Sequence, residues 1–297
     1  MRMLRTRAAT LAVLAALAPL GACTSGTDGT GGTGGTDRNG TGDASSTDSS
    51  SPPASASSPT GTPTPAAQAP RPRTGACYRL TFDQAIAPTS LTDPVRCREP
   101  HSSMTYEVGT IDAVADGHLL AVDSQRVQDQ VSRDCPRRLP RFLGGSADDL
   151  RLSMLRSVWF TPTLEESDAG ADWYRCDVIA VAVAGELARL NGPLEGVLSR
   201  AGSRIRYGMC GTAEPGTERF SRVICSRPHS WRAIRTVRLA GTRYPGVDRV
   251  RAAGEAPCED AGRAVASDRL NFRWGYEWPT AKQWAAGQHH GLCWAPD

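Results

Sequence analysis

The sequence predicts an α+β fold: two tandem disulfide-stapled modules, each a small, mostly antiparallel sheet with one helix, after a disordered tether. Three observations predict it. Eight of the nine cysteines fall into two similar sets of four, strand-like and helix-like patterns alternate within each set, and residues 24–76 contain no aromatic and no large aliphatic side chain. Over the 297-residue chain, 39% hydrophobic and 22% charged residues exclude a wholly disordered chain, a collagen and a multi-span membrane protein.

Residues 1–22 predict an export signal peptide. Three arginines precede the apolar run Ala8–Leu20, which is too short to span a bilayer, and small residues follow it. The segment Leu20–Cys23 resembles the bacterial lipobox. That resemblance implies cleavage before Cys23 and a diacylglycerol on its sulfur, so that lipid anchors the mature protein at the extracytoplasmic face of the cell membrane. The alternative is an ordinary secretory signal that leaves Cys23 as a thiol.

Residues 23–76 predict a lipid-anchored, disordered tether rich in Gly, Ser, Thr and Pro. Such a segment cannot bury enough apolar surface to offset the entropy lost on ordering. Its Gly-rich first part predicts a flexible chain, and the Pro-rich part at Ser51–Pro72 predicts a stiffer one. A typical reach of roughly 40 Å would hold the folded part away from the membrane.

Four short blocks occur twice in the same order. They are a G-x-C, a C-x-x-P-H-S, a helical cysteine and a P-T…G…C series, at residues 75–77 and 208–210, 97–102 and 225–230, 135 and 258, and 162–176 and 279–293. In the last block both copies run from Pro to Cys over 14 positions, with Gly six before the Cys. This agreement predicts an internal duplication, with module 1 at residues 77–200 and module 2 at residues 201–297.

An even number of cysteines in an exported chain predicts disulfides, and four cysteines per module allow three pairings. We favour the first with the second and the third with the fourth. The reason is that the G-x-C and C-x-x-P-H blocks put two cysteines at neighbouring strand ends, while the other two join a helix to the last strand. The predicted disulfides are Cys77–Cys97, Cys135–Cys176, Cys210–Cys225 and Cys258–Cys293.

The sequence pattern of each module predicts a few strands crossed by one helix. Alternating apolar residues predict the strands, and apolar residues at every fourth position predict the helices. In module 1 we expect strands at Ser103–Ile111, Leu152–Phe160 and Tyr174–Val183 and a helix at Asp123–Leu139. In module 2 we expect strands at His229–Leu239, Phe272–Trp278 and Gly291–Trp294 and a helix at Glu255–Leu270.

The repeated G-x-C, C-x-x-P-H and P-T…G…C series resembles the septum-formation domain of exported and membrane-anchored actinobacterial proteins. The resemblance covers both modules, and the single lysine, Lys282, is typical of high-GC coding. It implies a link to cell division, in a family without an established catalytic mechanism. The second copy departs from the first in detail, with Gly after Cys210 rather than an aromatic residue and Trp284 at the position of Ser167.

His101 and His229 are the leading candidates for a role beyond packing. Zinc needs intact thiolates beside them, and Cys–His catalysis needs a free thiol, but an oxidising compartment predicts disulfides at those cysteines. We therefore expect no catalytic residue, no metal and no cofactor. A structural role, with the imidazole bonded to a backbone group at the strand start, is favoured over contact with a ligand.

Other candidates carry weaker signals. Trp274 and Trp278 lie in a dense aromatic stretch, which predicts core packing or, less strongly, an aromatic surface for sugar or protein. The adjacent carboxylates Asp148-Asp149 and Glu165-Glu166 predict solvated loop charge, and His289-His290 predicts loop histidines. No catalytic or nucleotide-binding sequence motif is present.

Charge differs between the modules. The export signal accounts for the formal net charge of +3, whereas residues 77–200 carry 13 basic and 18 acidic side chains, a net of −5, and residues 201–297 carry 15 and 9, a net of +6. Either the modules dock through complementary fields, or the basic module contacts anionic lipid or wall polymer. The arginines in question are Arg219, Arg222, Arg227, Arg232, Arg235 and Arg238.

The sequence thus predicts a noncatalytic envelope lipoprotein that acts as a binding or scaffold module, in septum formation or cell-wall processes. Its expected partners are the membrane, through the lipid, and an envelope or division protein or wall polymer; the compartment excludes nucleic acid. The alternative is an envelope hydrolase that uses His101 or His229 with loop carboxylates. A solute-binding lipoprotein is a weaker option, since it needs a larger two-lobed core.

Overall fold

A computed structural model describes residues 70–297. The predicted export signal, Cys23 and nearly all of the predicted tether lie outside these residues. Residues 71–76, at the end of the predicted tether, lie against module 1: Arg71 forms an ion pair with Asp172 at 3.1 Å, and the Gly75 amide donates to the Thr105 carbonyl. None of the helices in the described part of the chain has the length and apolarity that crossing a bilayer requires.

The first module is an antiparallel sheet packed against a long helix. Its strands are β1 (Cys77–Tyr78), β2 (Ser103–Thr110), β3 (Val114–Ala115), β4 (His118–Leu119), β5 (Leu155–Phe160), β6 (Trp173–Val183) and β7 (Glu186–Leu187). Its helices are α1 (Phe82–Ala85), α2 (Gln125–Leu143), α3 (Ala147–Arg151) and α4 (Leu164–Asp168). The strand order is β1-β2-β6-β5, with β7 paired to β6 and β3-β4 forming a separate hairpin.

The second module repeats this plan. Its strands are β8 (Met209–Gly211), β9 (Arg222–Ile224), β10 (Trp231–Arg238), β11 (Gly275–Glu277) and β12 (His290–Pro296). Its helices are α5 (Ser203–Tyr207), α6 (Val247–Val265) and α7 (Ala281–Ala285), and a 3₁₀ turn at Val197–Ser199 precedes them. The strand order is β9-β8-β10-β12-β11, so β8, β10, β12 and β11 occupy the places of β1, β2, β6 and β5.

The two copies agree in register as well as in order. Each carries a β-bulge five residues after the repeated histidine: the pairing shifts between Thr105 and Glu107 in β2 and between Ala233 and Arg235 in β10. In both copies the residue that follows the bulge pairs with the last cysteine, Cys176 or Cys293. The internal duplication and the α+β class are confirmed.

The repeated P-T…G…C block has a local explanation. Thr163 and Thr280 are the N-caps of α4 and α7, and each forms a reciprocal capping box with the residue three positions on. Gly170 and Gly287, which follow these short helices, have φ angles of 92° and 89°. A left-handed backbone favours glycine at these positions, and the chain then turns into β6 or β12.

The long helices pack one face on their sheets. In α2, Val127, Val131, Cys135, Leu139 and Leu143 recur every fourth residue and are all buried. The counterpart α6 begins at Val247 rather than at the predicted Glu255. Gly254 lies within this helix, although glycine is unfavourable in a helix interior. A Cβ at Gly254 would come within 2.1 Å of the Tyr276 ring, so this glycine permits close packing rather than ending the helix.

The four disulfides join Cys77 to Cys97, Cys135 to Cys176, Cys210 to Cys225, and Cys258 to Cys293. These are the predicted pairs. In each module one disulfide ties the first strand to the C-x-x-P-H turn, and the other ties the long helix to a central strand. The second link fixes the helix on the sheet.

The modules share one core. A continuous buried cluster includes Leu139 and Leu155 of the first module together with Met209, Leu292 and Trp294 of the second. Backbone hydrogen bonds cross the junction, from the Met154 amide to the Tyr207 carbonyl at 2.7 Å and from the Met209 amide to the Leu152 carbonyl at 2.8 Å. The second sheet therefore packs directly on the first module.

Candidate functional site

The C-x-x-P-H blocks form matching turns before β2 and β10. The Nδ1–H of His101 donates to the carbonyl of Glu99 at 2.8 Å, and the Nδ1–H of His229 donates to the carbonyl of Arg227 at 2.6 Å. A carbonyl oxygen only accepts, so Nδ1 must carry a proton in both rings. Each imidazole thus closes its own turn, as the favoured structural interpretation expects.

The serine after each histidine joins the turn to the first strand of its module. The Ser102 amide donates to the Tyr78 carbonyl, and its hydroxyl donates to the Leu80 carbonyl at 2.7 Å. In the second copy the Ser230 amide donates to the Gly211 carbonyl, and its hydroxyl donates to the Thr212 carbonyl at 2.9 Å. The whole P-H-S sequence therefore sets where the second strand starts.

The other ring nitrogens differ between the copies. The Nε2 atom of His101 is buried and has no hydrogen-bond partner among residues 70–297. The Nε2 atom of His229 lies 2.7 Å from the Oδ2 atom of Asp297, to which Arg232 also donates through Nε at 3.0 Å. The Arg232 hydrogen bond, assisted by His229, holds the pKa of the Asp297 carboxyl below its usual range.

This arrangement leaves neither histidine with an accessible basic nitrogen. In His101 the free nitrogen is buried, and in His229 both nitrogens are engaged. The Sγ atom of Cys210 lies near His229 and Asp297, at distances that could suit a metal, but this sulfur is bonded to Cys225. A disulfide sulfur is not a thiolate ligand, so the residues present do not form a zinc site.

Trp274 and Trp278 are partly buried and pack with the core between β11 and α6. A Cβ on Gly262 of α6 would lie 2.7 Å from the Trp274 side chain, and the Arg251 guanidinium lies 5.5 Å from the Trp278 ring centre. Both tryptophans therefore have packing contacts with α6.

The adjacent acids have structural roles near the module junction. Ser146 is the N-cap of α3, and the Asp149 carboxylate accepts a hydrogen bond from its amide and forms an ion pair with Arg204 at 3.0 Å. Asp148 accepts a hydrogen bond from Thr236 at 2.8 Å, which is the main reason that the pKa of its carboxyl is lowered. The expected loop is instead helix α3; both carboxylates stay partly exposed to solvent and also contact the second module.

Opposite charges meet across the junction. Arg204 and Arg227 of the basic module pair with Asp149 and Glu186 of the acidic module. Among the six arginines singled out in the sequence, Arg222 and Arg232 are paired with Glu277 and Asp297 of their own module. The contacts support docking of the modules through complementary fields and reduce the positive charge left for an external polymer.

A cleft of about 520 Å³ lies between the modules, and sequence reasoning missed it. It brings together Arg151 and Arg156 from the first module with Arg222 and His290 from the second. His290 was expected in a loop, but it begins β12, where it pairs with Arg238. Burial, with the neighbouring arginines, lowers the pKa of His290 from its ordinary 6.5 to about 4. No spacing along the chain signals this cluster.

Comparison with known proteins gave one kind of match. The family described as "Septum formation" matches residues 36–166 and again residues 157–293. No curated protein and no solved structure matched the chain. The two family matches span most of the chain, so the chain belongs to the septum-formation family, in two tandem copies. The matches meet at residues 157–166, within the first sheet, rather than at the boundary between the sheets.

Proposed function

We propose that this chain is a noncatalytic lipoprotein of the cell envelope that acts by binding other envelope components in septum formation. Family membership supports the septal role. One observation carries the noncatalytic part: both repeated histidines use Nδ1 to close a turn, and neither keeps an accessible base at Nε2. General acid–base chemistry needs a nitrogen that can reach the substrate.

The anchor at Cys23 and the tether complete the proposal. Diacylglycerol on Cys23 would hold the chain at the outer face of the membrane, and residues 24–76 would let the two modules reach a partner. That partner is an envelope protein, a division protein or a wall polymer rather than a nucleic acid. Substitution C23A should release the full-length protein from the membrane fraction; retention of this variant would argue against the lipid anchor.

The noncatalytic proposal is tested by the double substitution H101N/H229N in cells that lack the native copy. The asparagine amide can keep the turn hydrogen bond but cannot shuttle a proton. We expect septum placement and cell length to match the wild type. A matched control, H101A/H229A, removes the hydrogen bonds as well and should lower the free energy of unfolding by about 1–3 kcal/mol at the buried site.

The envelope hydrolase is the second candidate, and the pair of His229 with Asp297 is the observation in its favour. It predicts that H101N/H229N folds with normal stability yet fails to support division. That result, with crosslinked partners still recovered, would replace the binding proposal with a catalytic one.

A further inference from the structure

The cleft between the modules is lined by cationic groups from both. These are the guanidinium groups of Arg151 and Arg156 from the first module and of Arg222 from the second; the imidazole of His290 lies beside them, and no Asp or Glu belongs to the lining. Because the two modules supply these groups together, the cleft exists only in the assembled pair.

One of the three arginine charges has no counterion. Asp148 pairs with Arg151 at 2.8 Å, and Glu277 pairs with Arg222 at 2.7 Å. The Arg156 Nη1 donates instead to the carbonyls of Ser153 and Leu155, at 2.8 and 2.7 Å, and within residues 70–297 it forms no ion pair. The cleft therefore keeps one positive charge beyond what its neighbours neutralise.

Two ionisable groups in the cleft have lowered pKa values. Burial, with Arg222 nearby, lowers the pKa of Arg156 to about 10. Burial also lowers the pKa of His290, and the positive charges of Arg151 and Arg222 add to that effect. A poorly solvated positive charge is costly, and an anion in the cleft would relieve that cost.

The rest of the lining is largely apolar. Leu139, Leu155 and Leu292 border the same space, together with the methionine at 209. The volume lies within the range of small-molecule sites, which combine an apolar wall with a few convergent polar groups. A ligand with only a charged group would leave this wall uncovered.

We propose that the cleft binds a small monoanion, a phosphodiester or a carboxylate, that carries a short apolar group. One negative charge matches the single uncompensated arginine, and the guanidinium fork suits the paired oxygens of either group. Arg151 and Arg222 are held in place by their own carboxylates, so they shape the cleft without rearranging.

Titration calorimetry of the purified protein at low salt tests this, with dibutyl phosphate as the phosphodiester probe and octanoate as the carboxylate probe. We expect at least one to bind, and their comparison identifies the preferred anion. Tributyl phosphate is the neutral match, and inorganic phosphate lacks the apolar group; both should bind at least tenfold more weakly. Equal binding of tributyl phosphate, or no binding of either probe, would overturn the proposal.

Two substitutions locate the site. R156Q removes the unpaired charge and should weaken the preferred probe at least tenfold, while R243Q, which removes an exposed arginine outside the cleft, should change it less than twofold. Q288E places a carboxylate in the lining and should also weaken binding, whereas Q125E on α2 should not. If R156Q fails to fold, Q288E decides: unchanged binding in that variant places the anion elsewhere and overturns the proposal.

The inference goes beyond the septal role and does not require it. Purified protein could bind the probes even if a division partner were never found. Conversely, failure of the probes would leave the H101N/H229N experiment in cells unaffected.

Discussion

Ring nitrogens of the histidines meet different surroundings in this fold. In His101 and His229, Nδ1 donates to a carbonyl two residues earlier, an interaction within a single turn. His290 lies instead at the cleft, where burial lowers the pKa of the ring and the positive charges of Arg151, Arg222 and Arg156 outweigh the opposing effect of Asp148. The first two rings are positioned by local sequence, and the third by contacts between modules.

His290 predicts a pH dependence of stability. Its pKa is about 4 in the folded protein and near 6.5 when unfolded, so between these values the unfolded chain binds more protons. The stability that the neutral ring contributes is present above pH 6.5 and is lost as the pH falls towards 4. Since the ring is partly exposed, we expect a loss of about 1–2 kcal/mol, less than the full linkage value.

Denaturant unfolding at pH 7.5 and pH 4.5 measures this loss. The wild type should lose more stability than H290Q, because the variant lacks the titrating ring. The control H118N alters an exposed histidine on β4 and should follow the wild type. Parallel pH profiles for the wild type and H290Q would contradict the assigned environment.

At the scale of elements, each long helix is tied to a central strand by a disulfide. The Cys135–Cys176 and Cys258–Cys293 bonds close loops of 41 and 35 residues, and the cysteines are fully buried. The capping boxes of α4 and α7 then lead the chain into the strands that carry the last cysteines. The repeated blocks of sequence are therefore the points where helix, turn and strand are joined.

Removal of a helix–strand disulfide should destabilise the protein. For C258A/C293A we expect the free energy of unfolding to fall by about 3–4 kcal/mol, since the bond restricts the unfolded chain. Chemical denaturation under non-reducing conditions measures the change. C23A, which removes a cysteine outside the framework, should have no effect, and a loss below about 1 kcal/mol in C258A/C293A would contradict the stabilising role.

At the scale of the whole molecule, the repeats stack in an unsymmetrical way. Arg175 and Asp177 flank Cys176 in the first module, where Asp177 accepts hydrogen bonds from Ser103 and Thr105 at 2.8 and 2.7 Å. In the second module Leu292 and Trp294 take the flanking positions and join the shared core. The second sheet is apolar on this face because it packs on the first module.

This shared core predicts a single unfolding transition. W294A should lower the free energy of unfolding by about 3–5 kcal/mol, because a fully buried indole is lost from a close-packed site. Circular dichroism and tryptophan fluorescence should report the same midpoint for both modules. W278A, at a partly buried position, should cost less; two separate transitions would contradict the shared core.

Much of the fold could be predicted from the sequence because it depends on local chemistry. Cysteine spacing and strand alternation predicted the four disulfides and the main strands, and the duplicated blocks predicted two similar modules. The start of α6 was missed because Gly254 is unfavourable in an isolated helix and is accepted only where the Tyr276 ring packs on it. The structure describes residues 70–297, so the export signal and the lipid anchor, which lie before residue 70, stay predictions from the sequence.

The sequence by itself determined the repeat, its disulfide framework and the turn-forming histidines, because the short blocks that carry the cysteines and histidines occur twice in the same order. Only the tertiary structure decided how the modules stack and that Arg156, Arg222 and His290 border one cleft. These residues are distant in the chain, and their proximity follows from burial of an apolar sheet face on a neighbouring module. Burial of that kind has no fixed spacing in sequence, so the cleft could be found only in the folded molecule.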